Sequence, residues 1–310
     1  MRNVYLADRT SADIDARVAR VLRDMGDPEP PLQLEIVREL LRLDRQYYSA
    51  GDESATKEFV HKLKMAGKQL VMRPTLIWDV VKKFDLKALY LPDRKRILID
   101  STLPVIKQRW GEAHEVGHSI IDWHELFMHG DDKMSLSPAC HAQLEAEANF
   151  AAGRLLFLQD RLVEELHGAA PTIKLVQSLS KTFGNSITTT MWRVVEHIGM
   201  PAFGLITDHP LRPGESFNPI EPCRYFVRSR TFERQFGKLK ELELFAVVKG
   251  YCNMRTRGPL GEEELLLKDD NGGEHVFHFE TFYNTHDALT LALYQSPNRL
   301  IVPTGRVRVA

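Results

Sequence analysis

The hydrophobic pattern changes period along the chain. Ile14, Val18, Val21 and Leu22 keep helical spacing behind Ser11 or Asp13 as cap, and the run from Gly26 to Pro31 stops that helix. Leu34, Val37, Leu40 and Leu41 mark a second helix, with Tyr47 and Tyr48 near its end assigned to the core. Further helices are predicted over 54–65 and 74–81. The period then drops. Residues 88–91 and 96–100 flank the turn Pro92-Asp93-Arg94-Lys95 and read as a β-hairpin. Helical spacing returns in Ala113, Val116, Gly117, Ile120 and Ile121, behind Ser101 or Thr102 as cap and with Pro104 in the first turn. It appears again in Ala148, Ala151, Ala152 and Leu155, while 122–141 between them reads as a loop. Thr172 and Ser186 cap two short helices over 172–199. Residues 206–220 have the composition of a linker. Beyond it, 244–251, 264–268, 275–280 and 299–303 read as strands, Asp269 to Gly273 as a hairpin turn, and Asp287 to Tyr294 as one short helix. The expected class is α+β: a mostly helical domain with a small hairpin over 1–205, a linker at 206–220, and an antiparallel β-rich domain over 221–310.

Composition narrows the function classes only a little. With 43% hydrophobic and 27% charged residues this is an ordinary soluble chain, and a net charge of −1 exerts no global pull on nucleic acid or anionic lipid. Residues 224–257 are locally basic, and the plain reading of that stretch is a solvated surface. The N-terminus lacks the apolar core of a signal peptide, and no run approaches the ~18 apolar residues of a membrane span. Three well-separated cysteines, Cys140, Cys223 and Cys252, fit a reducing compartment rather than a disulfide framework. A cytoplasmic location is expected.

The chemistry concentrates in Trp110-Gly111-Glu112-Ala113-His114-Glu115-Val116-Gly117-His118. On a helix, residues four apart differ by about 40° around the axis, so His114 and His118 point the same way. Two imidazoles one turn apart can share one zinc ion, and Glu115 borders their face, where it can take a proton from water. A third protein ligand must come from elsewhere. Glu145 and Asn149 are four apart on the next amphipathic helix, so Glu145 is suited to bind the metal and Asn149 to hold the far nitrogen of a ligand histidine. Glu147, about 200° from Glu145, reads as a solvated charge. His124, six residues after His118, and Cys140 are weaker third ligands, and His129 or His141 could stabilise an oxyanion.

His-Glu-x-Gly-His followed by Glu-x-Glu-Ala-Asn-x-x-Ala-x-x-Leu-Leu resembles the ImmA/IrrE metallopeptidases of bacteria and phages, over roughly residues 75–200. The resemblance implies a zincin-like core, His114, His118 and Glu145 as zinc ligands, and Glu115 as general base. It further implies a helix-turn-helix repressor as protein substrate, and so control of stress or mobile-element genes. Two departures stand out. Leu155-Leu156-Phe157-Leu158 replaces the family's Leu-Leu-Met-Pro, and the N-terminal part lacks the DNA-binding module many members carry. A His2Glu set also accepts manganese or iron. The competing expectation is a non-proteolytic regulator with a structural metal site. It would bind DNA or protein through the helix-turn-helix-like stretch at 172–199, although the second helix there offers Arg193 and little else to DNA.

Overall fold

The computed structural model describes residues 2–48, 88–91, 95–129, 138–215 and 217–297. The chain divides into two compact units. One comprises Val4–His167 with Leu179–Ser186; the other comprises Met1–Asn3, Gly168–Ser178 and Ile187–Ala310. The helices expected over 54–65 and 74–81 and the strand at 299–303 lie outside the described residues.

In the first unit, α1 (Asp8–Asp24) buries Ile14, Val18, Val21 and Leu22, the face its spacing predicts. Gly26 and Asp27, both at positive φ, end it. Helix α2 (Leu34–Leu41) stops where Arg42 adopts the left-handed conformation, at φ 55°. The chain then becomes a strand, β1 (Asp44–Tyr48), and not the end of a helix. Tyr47 is consequently half-exposed rather than core, and Arg45 stacks 5.0 Å from its ring. Strand β1 pairs in parallel with β3 (Arg96–Asp100), which pairs antiparallel with β2 (Ala88–Leu91). The predicted hairpin is therefore two strands of a three-stranded sheet ordered β1-β3-β2.

Helix α3 (Val105–Ile120) follows β3 directly. Neither Ser101 nor Thr102 caps it; Pro104 holds the N-cap position. The Asp100 carboxylate instead accepts from Thr102 N at 2.9 Å and from Thr102 Oγ1 at 2.7 Å, which turns the chain out of the sheet. The stretch expected as a loop begins with α4 (Asp122–His129). Helix α5 (Pro138–Leu156) carries the second apolar stripe, with Ala148, Ala151, Ala152 and Leu155 fully buried. It ends through Leu158 at φ 52°, a conformation closed to the proline found there in the resembling family. Helix α6 (Arg161–Leu166) follows.

Helices α7 (Ile173–Thr182) and α8 (Ile187–His197) are the two helices expected over 172–199, and Thr172 Oγ1 accepts from Leu175 N at the start of α7. The second unit is built on a five-stranded antiparallel sheet ordered β5-β4-β8-β7-β6. Its strands are β4 (Ala202–Thr207), β5 (Cys223–Arg228), β6 (Gly258–Lys268), β7 (Glu274–Tyr283) and β8 (Ala288–Pro297). The expected boundary at 206–220 thus falls inside this unit, because β4 is an inner strand of the sheet and the residues after it only loop back to β5. Two assignments change. Residues 244–251 belong to helix α10 (Glu241–Tyr251), which follows the short α9 (Arg230–Gln235). Asp287 to Tyr294, expected as a helix, lies almost wholly in β8. The core of this unit is dense in phenylalanine: Phe203, Phe226, Phe232, Phe236, Phe277 and Phe279.

Candidate metal centre

Helices α3 and α5 of the first unit bring His114, His118 and Glu145 together. Each offers a ligand atom within 4.8 Å of the other two, and among the described residues no other His, Cys, Asp or Glu group does so. The imidazole Nε2 atoms face each other at 3.2 Å. Glu145 Oε2 lies 3.2 Å from His114 Nε2, and Oε1 lies 3.6 Å from His118 Nε2. Two donors each about 2.0–2.1 Å from a tetrahedral ion sit ~3.3 Å apart. The triad therefore already has the spacing that one ion demands, and the donor set suits zinc, manganese or iron.

The far nitrogens of both histidines are engaged. Asn149 Oδ1 lies 3.1 Å from His114 Nδ1, as the i, i+4 relation to Glu145 predicts. The oxygen is an acceptor only, so the hydrogen sits on Nδ1 and the Nε2 lone pair faces the triad. Burial pulls the His118 imidazole below its usual range, which keeps it neutral. Burial acts the same way on His114, but Glu145 and Glu115 overcome it and move that ring upward. Burial would also raise Glu145; the two histidines outweigh it and hold the carboxyl well below the ordinary range.

Glu115 is buried, interacts with His114 and Glu145, and accepts from the Tyr90 backbone in β2. Its carboxyl is pushed up to about 7 by burial and by Glu145, against the opposing pull of His114 and a hydrogen bond from the Tyr90 backbone. A carboxylate poised near neutrality can both accept and return a proton.

The structure reassigns three further residues. His124, weighed above as a third ligand, is fully buried and lies behind His118, outside the triad; its Nδ1 is 2.8 Å from His118 Nδ1. Glu147 is not a solvated charge: it is buried, and its Oε2 lies 2.9 Å from His124 Nε2 and 2.7 Å from Trp123 Nε1. The position is readable, since Glu147 is four residues before Ala151 and so borders the apolar stripe of α5. Cys140 is partly buried and is not one of the grouped residues. His141 is exposed, its Nε2 3.9 Å from Glu145 Oε1.

The stretch at 172–199 is poorly suited to reading DNA. Arg193, the one arginine of its second helix, is buried and bonds Glu196 at 2.7 Å. Among the described residues no helix is long and apolar enough to cross a membrane.

No family model matches the chain, and no curated protein matches it. Its fold is similar to that of a solved Mycobacterium tuberculosis transcriptional regulator, with a TM-score of 0.50 and 14% identity. That match covers 93% of this chain and 78% of the other.

Proposed function

We propose that the protein is a metal-dependent endopeptidase acting on one specific protein inside the cell. The observation that carries this reading is the juxtaposition of a preformed His2Glu cluster with a buried carboxyl held near neutrality. His114, His118 and Glu145 would hold the ion, zinc in the first instance. When bound, it supplies Lewis acidity to a water and to the substrate carbonyl. Glu115 removes the proton from the attacking water and delivers it to the leaving amine. Strand β2, at the edge of the described sheet and bonded to Glu115 through Tyr90, is suited to pair with an extended substrate backbone. The motif resemblance to the ImmA/IrrE peptidases makes a helix-turn-helix repressor the substrate to seek. That the structural neighbour is a transcriptional regulator agrees with a regulatory role.

The test compares purified wild type with His118→Ala, Glu145→Ala and Glu115→Gln. Wild type should carry about one zinc. The two ligand variants should carry little. Glu115→Gln should keep zinc but yield none of the new protein N-termini that wild type generates in cells. Zinc loss in Glu115→Gln, or unchanged cleavage, would sink the assignment. A second reading, a non-proteolytic DNA- or protein-binding regulator with a structural metal site, draws on the helix-turn-helix-like stretch at 172–199 and on the fold likeness to that mycobacterial regulator. Salt-dependent DNA binding without cleavage would favour it.

A further inference from the structure

We infer that His124 and Glu147 are positioning residues for the metal centre: a buried chain from Glu147 through His124 to His118 fixes which nitrogen of His118 faces the ion. This rests on the metal-site reading above and adds two residues to it that the motifs do not contain.

The chain is continuous. Glu147 Oε2 lies 2.9 Å from His124 Nε2, and His124 Nδ1 lies 2.8 Å from His118 Nδ1. His118 Nε2 points the other way, 3.2 Å from His114 Nε2. With His124 neutral, the chemistry leaves one arrangement of hydrogens. An ionised carboxylate only accepts, so His124 carries its hydrogen on Nε2. Its Nδ1 is then a lone pair, which accepts from Nδ1–H of His118. That leaves the His118 Nε2 lone pair free for a cation. Metal-binding histidines commonly give their other N–H to a carboxylate or carbonyl, which sets the ring's tautomer and orientation. Here a second imidazole is interposed, so the carboxylate acts from one residue further out.

The carboxylate is itself built in. Trp123 Nε1 donates to Glu147 Oε2 and Gln143 Nε2 donates to Oε1, both at 2.7 Å. His124 is fully buried, so water does not compete for either of its nitrogens. An interior imidazole and carboxylate are costly to desolvate, and the close bonding on every side offsets that cost. Asn149 performs the equivalent task for His114 without any intermediate, so the two ligand histidines are oriented by different devices.

The experiment is a zinc titration of full-length protein against a competing chelator, on wild type, His124→Phe, Glu147→Gln and Glu147→Asp, with melting of each zinc-free protein alongside. His124→Phe and Glu147→Gln should bind zinc about 10–100-fold more weakly. Glu147→Asp should recover most of the loss. In zinc-loaded wild type, ring-nitrogen NMR should find His118 with its hydrogen on Nδ1 and the metal on Nε2. Wild-type affinity in a folded His124→Phe or Glu147→Gln, or His118 bound through Nδ1, overturns the proposal. So does equal weakening in Glu147→Asp. If Glu147→Gln does not fold, the NMR assignment in wild type decides. Absence of zinc binding by wild type itself would instead overturn the metal-site reading on which this depends.

Discussion

A Cβ on Gly117 would lie 2.8 Å from the backbone oxygen of Ala148. It would also lie 3.2 Å from Ala151 Cβ. Helices α3 and α5 thus approach backbone to backbone where Gly117 leaves α3 without a side chain. That approach is what carries Glu145, one turn before Ala148–Asn149, up to the two histidines. Backbone cannot swing aside, so Gly117→Ala must part the helices. It should cost about 1–3 kcal/mol in urea unfolding of the zinc-free protein and weaken zinc binding as well. Gly250→Ala, at an exposed position of α10, meets nothing within 4 Å. It should leave stability unchanged or raise it by up to about 1 kcal/mol. Equal stability of Gly117→Ala and wild type would show that the contact is not what sets the helix spacing.

That contact also explains why the centre is readable from sequence. Ligands one turn apart on a helix declare their common face, and Gly117 sits among them inside an apolar stripe. Asn149 is readable for the same reason. Glu147 escapes a reading by its angle from Glu145, because what decides its burial is its place beside Ala148 and Ala151. Elsewhere period fails where burial erases it. Residues 288–293 of β8 are buried on both faces, so their strand carries no alternation to detect. In α10 the run Leu244-Phe245-Ala246-Val247-Val248 is continuous and apolar, and only the burial of Leu244 and Val248, four apart, shows its helical period. Strand β1 is hidden by a single left-handed residue, Arg42, which diverts a helix pattern into a sheet.

Asn149 should act on His114 through its oxygen. The 3.1 Å bond to His114 Nδ1 needs an acceptor, which Asp supplies and Ala does not. Asn149→Ala should lower zinc affinity by about 10–100-fold, and Asn149→Asp should stay within a few-fold of wild type. Chelator competition measures both. Unchanged affinity in Asn149→Ala would remove the residue from the centre.

Glu112, also on α3, is buried and paired with two guanidinium groups. Arg38 Nε reaches its Oε1, and Arg45 Nη1 lies 2.9 Å from its Oε2. These pairs tie α2 and β1 to the helix that bears the histidines. Among the described residues, taking away the shared carboxylate leaves both cations only the exposed Glu35, 3.9 Å from Arg38 and 3.6 Å from Arg45. Glu112→Gln should therefore destabilise by about 3 kcal/mol. The Asp44–Arg96 pair is as close, at 2.7 Å, but Asp44 is 53% exposed. Asp44→Asn should cost under about 1 kcal/mol. Parallel urea titrations decide, and similar losses in the two variants would contradict the role given to burial.

The cysteines offer a test of the second unit. Burial, and secondarily Glu241, push the Cys223 thiol up to about 12. Burial pushes Cys252 up to about 11, against a hydrogen bond from Thr281. Thiolate is the reactive form, and its fraction falls about tenfold for each unit by which the thiol's pKa exceeds the pH. At pH 8 the native protein should therefore be alkylated at Cys223 on the order of a thousandfold more slowly than the urea-unfolded chain. Peptide mass spectrometry reads the two rates. The same shift carries a sign for stability. The unfolded thiol ionises near its ordinary value while the folded one stays neutral, so ionisation favours the unfolded chain as pH rises from about 9 towards 12. Removing the group in Cys223→Ala should flatten the loss of stability across that window. Labelling of native Cys223 at the unfolded rate would mean that the core of the second unit does not enclose it.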